Sequence, residues 1–322
     1  MSISADKKIK NCEKTTGNEE NMTKQEKIEK LKHEKNAVIL AHYYVVPEVQ
    51  DIADYIGDSF YLSKLAQKLS NDIIIYCGVD FMGESGKLLS QEKQVLMPDM
   101  GADCPMAHMV NKEKIQYYRS KYPDLAVVCY INSTAEIKTW SDVCVTSSNA
   151  VKVVNNLPNK NILFIPDKNL GSYVKEQVKE KNVIIADGYC PIHEHISAKE
   201  INDLKTLHPE AEILVHPECC EEVRKMADYI GSTSGIIKYA SESSATAFII
   251  GTEVGVEHVL RKENPNKEIY FTETRPICDG MKKINLDKII QVLETGENQV
   301  NIPENITENA GRPLKRMLEL AK

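Results

Sequence analysis

The sequence lacks the features that mark membrane, secreted and nucleic-acid-binding proteins. No apolar run approaches the roughly 20 residues that span a bilayer, and no charged start is followed by an apolar segment. The net charge is −7 and no basic cluster stands out, so a concentrated positive surface for phosphates is missing. We therefore expect a cytoplasmic protein with neither a membrane nor a nucleic acid as a partner.

Closely spaced cysteine pairs are also missing. The chain has nine cysteines, an odd number, and no two form a CxxC pair. Local zinc knuckles need such pairs, and a disulfide framework is typical of short secreted chains. Metal binding by these cysteines would have to be assembled from distant parts of the chain. Residues 1–22 are polar and are predicted to be a mobile tail before the folded part.

The sequence contains an internal repeat, and a repeat indicates the overall architecture more directly than any single helix or strand does. Residues 37–59, 125–147 and 211–233 align without a gap over 23 positions. The first and third copies share 11 of these positions, among them His42 and His216, and the second has Tyr130 in that column. Matches that include polar positions favour three copies of one structural unit over coincidence.

Each copy has the pattern of a strand followed by a helix. An apolar run at 38–40, 126–129 or 213–215 suits a strand buried on both faces. A polar loop follows, and then a helical pattern in which Val49, Ile52, Ala53 and Ile56 are spaced by three and four residues. A second set of strands is predicted at 72–76, 161–165 and 235–239, and a later set at 95–97, 183–186 and 269–271.

Strands that alternate with helices predict βαβ units and parallel sheets. The predicted fold class is therefore α/β, with three similar small three-layer domains around a pseudo-threefold axis. We place domain 1 at 23–107, joined by the C-terminal segment 286–322, domain 2 at 108–192 and domain 3 at 193–285.

Three cysteines fall at equivalent places in the repeat. Cys104, Cys190 and Cys278 lie 62, 60 and 62 residues after the histidine or tyrosine of their copy's shared column. Each follows a predicted late strand, and in open α/β sheets ligand-binding groups collect at the carboxyl ends of strands. Three thiolates that meet near one axis form a site for a soft metal.

The number of thiolates narrows the choice of metal. A structural zinc would need a fourth protein ligand, and a [4Fe–4S] cluster for electron transfer normally has four cysteines. Three thiolates on such a cluster leave one iron open to act as a Lewis acid. The alternative is ordinary buried cysteines, which we expect of Cys77, Cys129 and Cys144. The adjacent Cys219 and Cys220 are the substitutes if one ligand is misassigned.

Polar side chains follow the first strand of each copy, at 42–44, 130–132 and 216–218. Together these loops supply imidazoles, phenols, an amide and a carboxylate, a set suited to acid–base work on a polar substrate. Ser59, Ser147 and Thr233 close the three copies and are predicted to open the next helix. There a hydroxyl can bind carboxylate or phosphate oxygens, cap the helix, or do both.

With these motifs the chain resembles the quinolinate synthase family, the A protein of de novo NAD biosynthesis. The resemblance covers nearly everything from Lys24 onward and rests on AHYYVVPEVQDIADYIGDS, MPDMGADCPMA, VVCYINSTAEIK, HPEC, GSTSGII and CDGMKKI. It implies an enzyme that condenses iminoaspartate (iminosuccinate) with dihydroxyacetone phosphate to give quinolinate, phosphate and two waters. It also implies one [4Fe–4S] cluster per chain, bound by Cys104, Cys190 and Cys278.

The resemblance further implies roles for single residues. The catalytic residues would be Tyr44 and Glu218 as the main acid–base groups, with Tyr130 and His216. The substrate contacts would be His42, Ser59, Tyr130, Ile131, Asn132, Ser147, His216, Pro217, Glu218 and Thr233. Some members carry further cysteines near the third ligand, whereas Cys278 stands alone, so no regulatory disulfide is expected there. The instability of iminoaspartate leaves room for a transient contact with the enzyme that produces it.

Two other functions compete with this prediction. One is a cluster-dependent hydro-lyase with a different substrate, which would not need phosphate contacts, so turnover with dihydroxyacetone phosphate separates it from the predicted enzyme. The other is an iron–sulfur sensor, which would need an exposed partner surface or a DNA-binding element, and the sequence shows neither.

Overall fold

The structure is a computed structural model that describes residues 22–322. Residues 1–21, which include Cys12 and nearly all of the predicted tail, lie outside the described part. Among residues 22–322, no helix is both long and apolar enough to cross a membrane.

The strands form three separate four-stranded sheets in which all pairings are parallel. The first sheet consists of β1 (Ala37–His42), β2 (Tyr55–Gly57), β3 (Ile73–Cys77) and β4 (Gln94–Leu96). The second consists of β5 (Leu125–Tyr130), β6 (Val143–Val145), β7 (Asn161–Ile165) and β8 (Asn182–Ile185). The third consists of β9 (Glu212–Val215), β10 (Tyr229–Ile230), β11 (Ala247–Gly251) and β12 (Glu268–Phe271).

Helices connect the strands and cover both faces of the sheets. Those of the first unit are α1 (Lys24–Glu34), α2 (Pro47–Ile52), α3 (Ser59–Ala66) and α4 (Asp80–Leu89), followed by a short 3₁₀ helix at Pro105–His108. The second unit has α5 (Lys112–Lys121), α6 (Ala135–Thr139), α7 (Ala150–Asn156), α8 (Lys168–Gln177) and α9 (Pro191–Glu194). The third has α10 (Ala198–Leu207), α11 (Glu221–Lys225), α12 (Thr233–Glu242), α13 (Val256–Glu263) and α14 (Asp279–Lys282), and the chain ends with α15 (Leu286–Thr295) and α16 (Glu304–Leu320).

The predicted fold class is confirmed. Each sheet has the same strand order, with the second strand at one edge, then the first, the third and the fourth. Every residue of β1 and β5 is buried, as expected of central strands with helices on both faces. Three equivalent three-layer units therefore carry their loops in equivalent positions, which is what assembles the site described below.

One polar column of the repeat has a structural role in all three units. An aspartate just before or at the start of the edge strand accepts a backbone N–H from the first strand of its sheet. The pairs are Asp54 with Ile39, Asp142 with Val127 and Asp228 with Ile213, at 2.7–2.8 Å. The edge strands are only two or three residues long, so these carboxylates satisfy N–H groups that the short strands do not reach.

The helical pattern predicted across Val49–Ile56 is wrong in its second half. Helix α2 ends at Ile52, and Ile56 lies in the edge strand β2, where it pairs with Ala41. Residues spaced as on one helical face are here divided between a one-and-a-half-turn helix and a strand. Both elements contact β1, and Val49 and Ile52 of the helix are buried whereas Ile56 of the strand is partly buried.

The strand predicted at 235–239 is also wrong, because these residues belong to α12. Ser232 caps this helix by accepting the N–H of Gly235 at 3.2 Å, and Ile236, Ile237 and Ala240 form its buried face. The third strand of this sheet is β11, later in the chain. The other strands predicted in the two sets are confirmed, as are the three first strands.

The two C-terminal helices pack on the first and second units. Helix α15 contacts α1, and α16 contacts α4, α6 and β6. The three sheets lie within 23–107, 108–192 and 193–285 respectively, while the boundaries of the domains stay predictions.

Candidate active site

A cavity lies where the carboxyl ends of the three sheets meet. The space between its lining atoms is about 650 Å³, part of it open to solvent, which is the size of a small-molecule site. It brings together twelve of the residues predicted from the sequence. These are His42, Tyr44, Ser59, Cys104, Tyr130, Asn132, Ser147, Cys190, His216, Glu218, Thr233 and Cys278.

Two predicted contact residues do not line the cavity. Ile131 and Pro217 are buried between lining residues of their loops. Ile131 donates its N–H to the carbonyl of Val145 at 2.8 Å, which ties its loop to β6. Direct substrate contact by these two side chains stays a prediction.

The three cysteines occupy equivalent loops and start short helices. Each is the residue before the first turn of the 3₁₀ helix, α9 or α14. Burial raises the pKa of the Cys104, Cys190 and Cys278 thiols. The protein by itself therefore favours neutral thiols, and a bound metal would have to displace their protons.

The three thiols do not surround a single ion. Sulfur ligands of one zinc ion lie about 2.3 Å from it, so no two can be more than roughly 4.6 Å apart. Among residues 22–322, two groups of side chains have three potential ligand atoms within 4.8 Å of one another, and the three thiols together form neither. These groups are Cys190 with His193 and Glu218, and Asp80 with Asp103 and His108.

The other cysteines of the described chain behave as expected of non-ligands. Cys77, Cys129 and Cys144 are buried in strands of the first and second sheets, which confirms their prediction. Cys219 is buried and Cys220 is partly exposed, and neither lines the cavity.

A hydrogen-bonded chain of side chains links the two predicted acid–base residues. His193 Nδ1 lies 2.7 Å from Oε2 of Glu218, and His193 Nε2 lies 2.9 Å from Oγ1 of Thr252. The hydroxyl of Tyr44 lies 2.8 Å from Thr252 Oγ1 and 2.8 Å from Thr233 Oγ1. All five side chains are buried, so a proton can pass between the carboxylate and the phenol without bulk water.

Glu218 is held ionised and has one free oxygen. Burial raises the pKa of this carboxyl, but the imidazole of His193, which also hydrogen-bonds to it, outweighs burial and lowers the pKa below its usual range. Its Oε1 is buried and has no hydrogen-bond partner, and the same is true of Asn132 Oδ1. Unpaired buried acceptors carry a free-energy cost that a bound ligand can relieve.

The phenols of Tyr44 and Tyr130 are held neutral. Burial raises the pKa of both well above its ordinary value. A neutral phenol can donate a proton, whereas a carboxylate such as Glu218 can only accept one. The site therefore contains a proton donor and a proton acceptor joined by one chain of hydrogen bonds.

His42, the last residue of β1, and His216, the residue after β9, are held neutral by burial. His42 Nδ1 accepts the N–H of Tyr44 at 3.2 Å, and His216 Nδ1 accepts the N–H of Glu218 at 3.3 Å. Burial lowers the pKa of each imidazole from 6.5 to about 3. Both rings are therefore neutral at pH 7 and orient the loops that carry the acid–base groups.

This burial predicts a loss of stability in weak acid. The unfolded chain binds a proton at His42 below its ordinary pKa of 6.5, but the folded protein does so only near 3. Protons thus favour the unfolded state as the pH falls from 6.5 towards 3. We expect the unfolding temperature to drop between pH 7 and pH 5, and to drop less in His42→Asn. His195→Asn changes an exposed histidine and serves as the control; equal pH slopes for the two variants would contradict the prediction.

The hydroxyls that close the repeats are not needed as helix caps. Asp58 caps α3 by accepting the N–H of Tyr61 at 3.0 Å, and Ser232 caps α12. Ser59 and Thr233 are the first residues of those helices, so their hydroxyls remain directed to the cavity lining. Ser147 lies three residues before the start of α7 at Ala150, so the prediction that it opens the next helix is wrong.

The sequence missed several lining residues. These are Asp58, Val79, Phe81, Thr146, Ile192, His193, Glu253 and Met281. His193 had a usable signal, because it follows Cys190 by three residues in the same loop. Glu253 had no usable signal. It lies two residues after the end of β11 at Gly251, and the prediction had placed this strand at 235–239 instead.

Comparison with known proteins finds relatives that match nearly the whole described chain. The family profile described as "Quinolinate synthetase A protein" matches residues 26–319. A quinolinate synthase of Fusobacterium nucleatum is 54% identical over 296 residues, covering 92% of this chain and 99% of that protein. One from Caldicellulosiruptor saccharolyticus is 50% identical, covering 91% and 97%, and one from Aquifex aeolicus is 46% identical, covering 96% and 98%.

Proposed function

Because the chain belongs to the quinolinate synthase family, enzymes of NAD biosynthesis, we propose that it condenses iminoaspartate with dihydroxyacetone phosphate. The products are quinolinate, phosphate and two waters. The observation that carries this proposal is the convergence in one cavity of three thiols, one per repeat unit, with a neutral phenol and an ionised carboxylate. These are the groups that a condensation followed by dehydration requires.

The thiols of Cys104, Cys190 and Cys278 would hold one [4Fe–4S] cluster per chain. Their common cavity, to which each repeat unit contributes one thiol, supports a cluster. With three protein ligands, such a cluster supplies an iron that acts as a Lewis acid towards a leaving hydroxyl.

Hydroxyl, imidazole and amide groups around the cavity bind the substrates. Both substrates are anionic, one with two carboxylates and the other with a phosphate. Ser59, Ser147 and Thr233 offer hydroxyl donors from three sides, and the unpaired amide oxygen of Asn132 can accept a bond from a substrate hydroxyl or imine N–H. His42 contributes the free edge of a neutral imidazole. These groups orient the two molecules for carbon–carbon and carbon–nitrogen bond formation.

Glu218 and Tyr44 move the protons. The free Oε1 of Glu218 takes a proton from a carbon next to the carbonyl or imine. The hydroxyl of Tyr44 gives its proton to a leaving oxygen and regains one from Thr252, which receives it from Nε2 of His193. Tyr130 and His216 pack beside the carboxylate and exclude water from it.

We also propose that the enzyme works in the cytoplasm. There it would receive iminoaspartate through a transient contact with the enzyme that makes this substrate. All eight cysteines in the described part of the chain are free thiols, which is typical of a reducing compartment.

The experiment that tests this function is quinolinate formation under anaerobic conditions. Cluster-loaded protein receives freshly generated iminoaspartate and dihydroxyacetone phosphate, and quinolinate is quantified by chromatography. We expect product only when both substrates are present. Glycerol 3-phosphate, which has the phosphate but no carbonyl, is the matched control and should give none. Absence of quinolinate from cluster-loaded protein would refute the proposal.

A further inference from the structure

Two hydrogen-bonded bridges join neighbouring repeat units, and both end on the same backbone position. Tyr44 and Glu218 are equivalent in the repeat, since each is the eighth residue of its copy. The ammonium of Lys282 donates to the carbonyl of Tyr44 at 2.5 Å. The amide of Asn169 donates to the carbonyl of Glu218 at 3.0 Å. In each case the donor belongs to the preceding unit in the cycle around the site.

At its other end, each bridge reaches the helix that follows a candidate cluster ligand. Lys282 itself is the fourth residue after Cys278. Asn169 donates through the same amide nitrogen to Oε2 of Glu194 at 2.7 Å, and Glu194 is the fourth residue after Cys190. The repeat thus uses different side chains to make an equivalent connection twice.

A buried carboxylate strengthens both connections. Glu253 and Asp167 each lie two residues after the third strand of their sheet and are fully buried. Oε1 of Glu253 accepts the N–H of Cys278 at 3.0 Å and lies 2.8 Å from the Lys282 ammonium. Oδ2 of Asp167 accepts the N–H of Cys190 at 3.1 Å.

The first unit lacks these two side chains after its third strand, and the N–H of Cys104 is accepted instead by Asp103 Oδ1 at 2.6 Å. Val79 takes the place of the carboxylate and Phe81 that of Asn169, when the units are aligned on the last residues of β3, β7 and β11. Neither side chain can donate or accept a hydrogen bond. A bridge from the first unit would end in the second unit, where the residue equivalent to Tyr44 and Glu218 is Asn132. Asn132 is not one of the proposed acid–base residues. The bridges are therefore present where an acid–base residue follows and missing where none does.

We propose that Lys282 and Asn169 are positioning residues of this enzyme. Lys282 fixes the backbone of Tyr44 relative to the Cys278 loop. Asn169 does the same for Glu218 in the next unit. The partly buried ammonium of Lys282 and the carboxylate of Glu194 make one bond in each bridge charge-assisted, and such bonds are shorter and stronger than neutral ones. Displacement of a catalytic group by about 1 Å can lower turnover roughly 100-fold. The consequence for turnover rests on the function proposed above, whereas the restraint itself does not.

The restraint is tested by hydrogen–deuterium exchange of the anaerobically purified full chain, with a crossover between two variants. In Lys282→Met, peptides covering 43–46 and 277–284 should exchange about tenfold faster, while 188–196 and 217–220 should not change. In Asn169→Leu the pattern should be reversed. A general loosening of the protein would accelerate both sets in both variants, and this outcome would overturn the proposal.

Lys283→Met is the matched control for the first bridge. Lys283 is the next residue and donates to the carbonyl of Gly101 at 2.5 Å, so its replacement removes the same charge without touching Tyr44. Exchange at 43–46 should stay at the wild-type rate. If the Lys282 and Lys283 variants exchange alike there, the assignment of Lys282 is wrong.

Turnover gives the second measurement. Cluster-loaded Lys282→Met should keep its iron content and its KM within about twofold, while kcat falls roughly 10- to 100-fold. Lys282→Arg can still donate to both the carbonyl and the carboxylate, so it should recover most of the rate and the slow exchange. If the wild type forms no quinolinate, the proposed function fails, and the exchange experiment still decides the bridges. Unchanged kcat in Lys282→Met would overturn the catalytic consequence.

Discussion

Replacement of Cys104, Cys190 or Cys278 by alanine is expected to abolish both iron binding and quinolinate formation. Each thiol comes from a different repeat unit and lines the shared cavity, so no neighbouring cysteine in the described chain can take over its place. A three-ligand cluster that loses one thiolate keeps only two protein bonds and dissociates. Anaerobically purified wild type should contain about four irons and four sulfides per chain, and each single variant close to none.

Cys220→Ala is the control for this prediction. Cys220 is a partly exposed free cysteine that lies two residues after Glu218 and does not line the cavity. It should retain full iron content and activity. Iron and sulfide analysis with electron paramagnetic resonance of the reduced protein provides the measurement. A Cys104, Cys190 or Cys278 variant that kept an intact cluster and wild-type activity would show that the ligand set is wrong.

The fold could be predicted from the sequence because the repeat carries spatial information that single elements do not. Three aligned copies required three equivalent units, and parallel strands placed equivalent loops on one side of each sheet. The edge strands were missed since two or three residues give no periodic signal. The strand at 235–239 was wrong because a Gly-Ile-Ile run can be buried in a helix as well as in a strand, and the cap by Ser232 decides for the helix.

The candidate site could be predicted where its residues fall on the repeat and could not where they depend on packing between units. Tyr44 and Glu218 occupy one repeat column, so their convergence follows from symmetry. His193 and Thr252 join them through contacts between the second and third units, and no spacing within either copy encodes such a contact. The bridges through Lys282 and Asn169 likewise depend on contacts between units, so the sequence of a single copy does not predict them.

Replacement of Glu218 by glutamine is expected to lower kcat roughly 100- to 10,000-fold, the range for loss of a general base. The amide has nearly the shape of the carboxylate and can still accept a bond from His193. It cannot take a proton at the position of Oε1, which is the unpaired atom in the cavity. KM should change little because the substrate carboxylates and phosphate are bound by other groups, and iron content should remain at the wild-type level.

Glu222→Gln distinguishes this effect from a general change of charge. Glu222 lies four residues further along the same copy, on the exposed face of α11, and its replacement should leave kcat unchanged. The pH profile adds a second criterion: because the pKa of Glu218 is lowered, the wild-type rate should not fall with a carboxyl titration between pH 5 and 8. If Glu218→Gln kept kcat within about threefold of the wild type, the proton acceptor would have to be another group. If it lost iron, Glu218 would act on the cluster site rather than on the substrate.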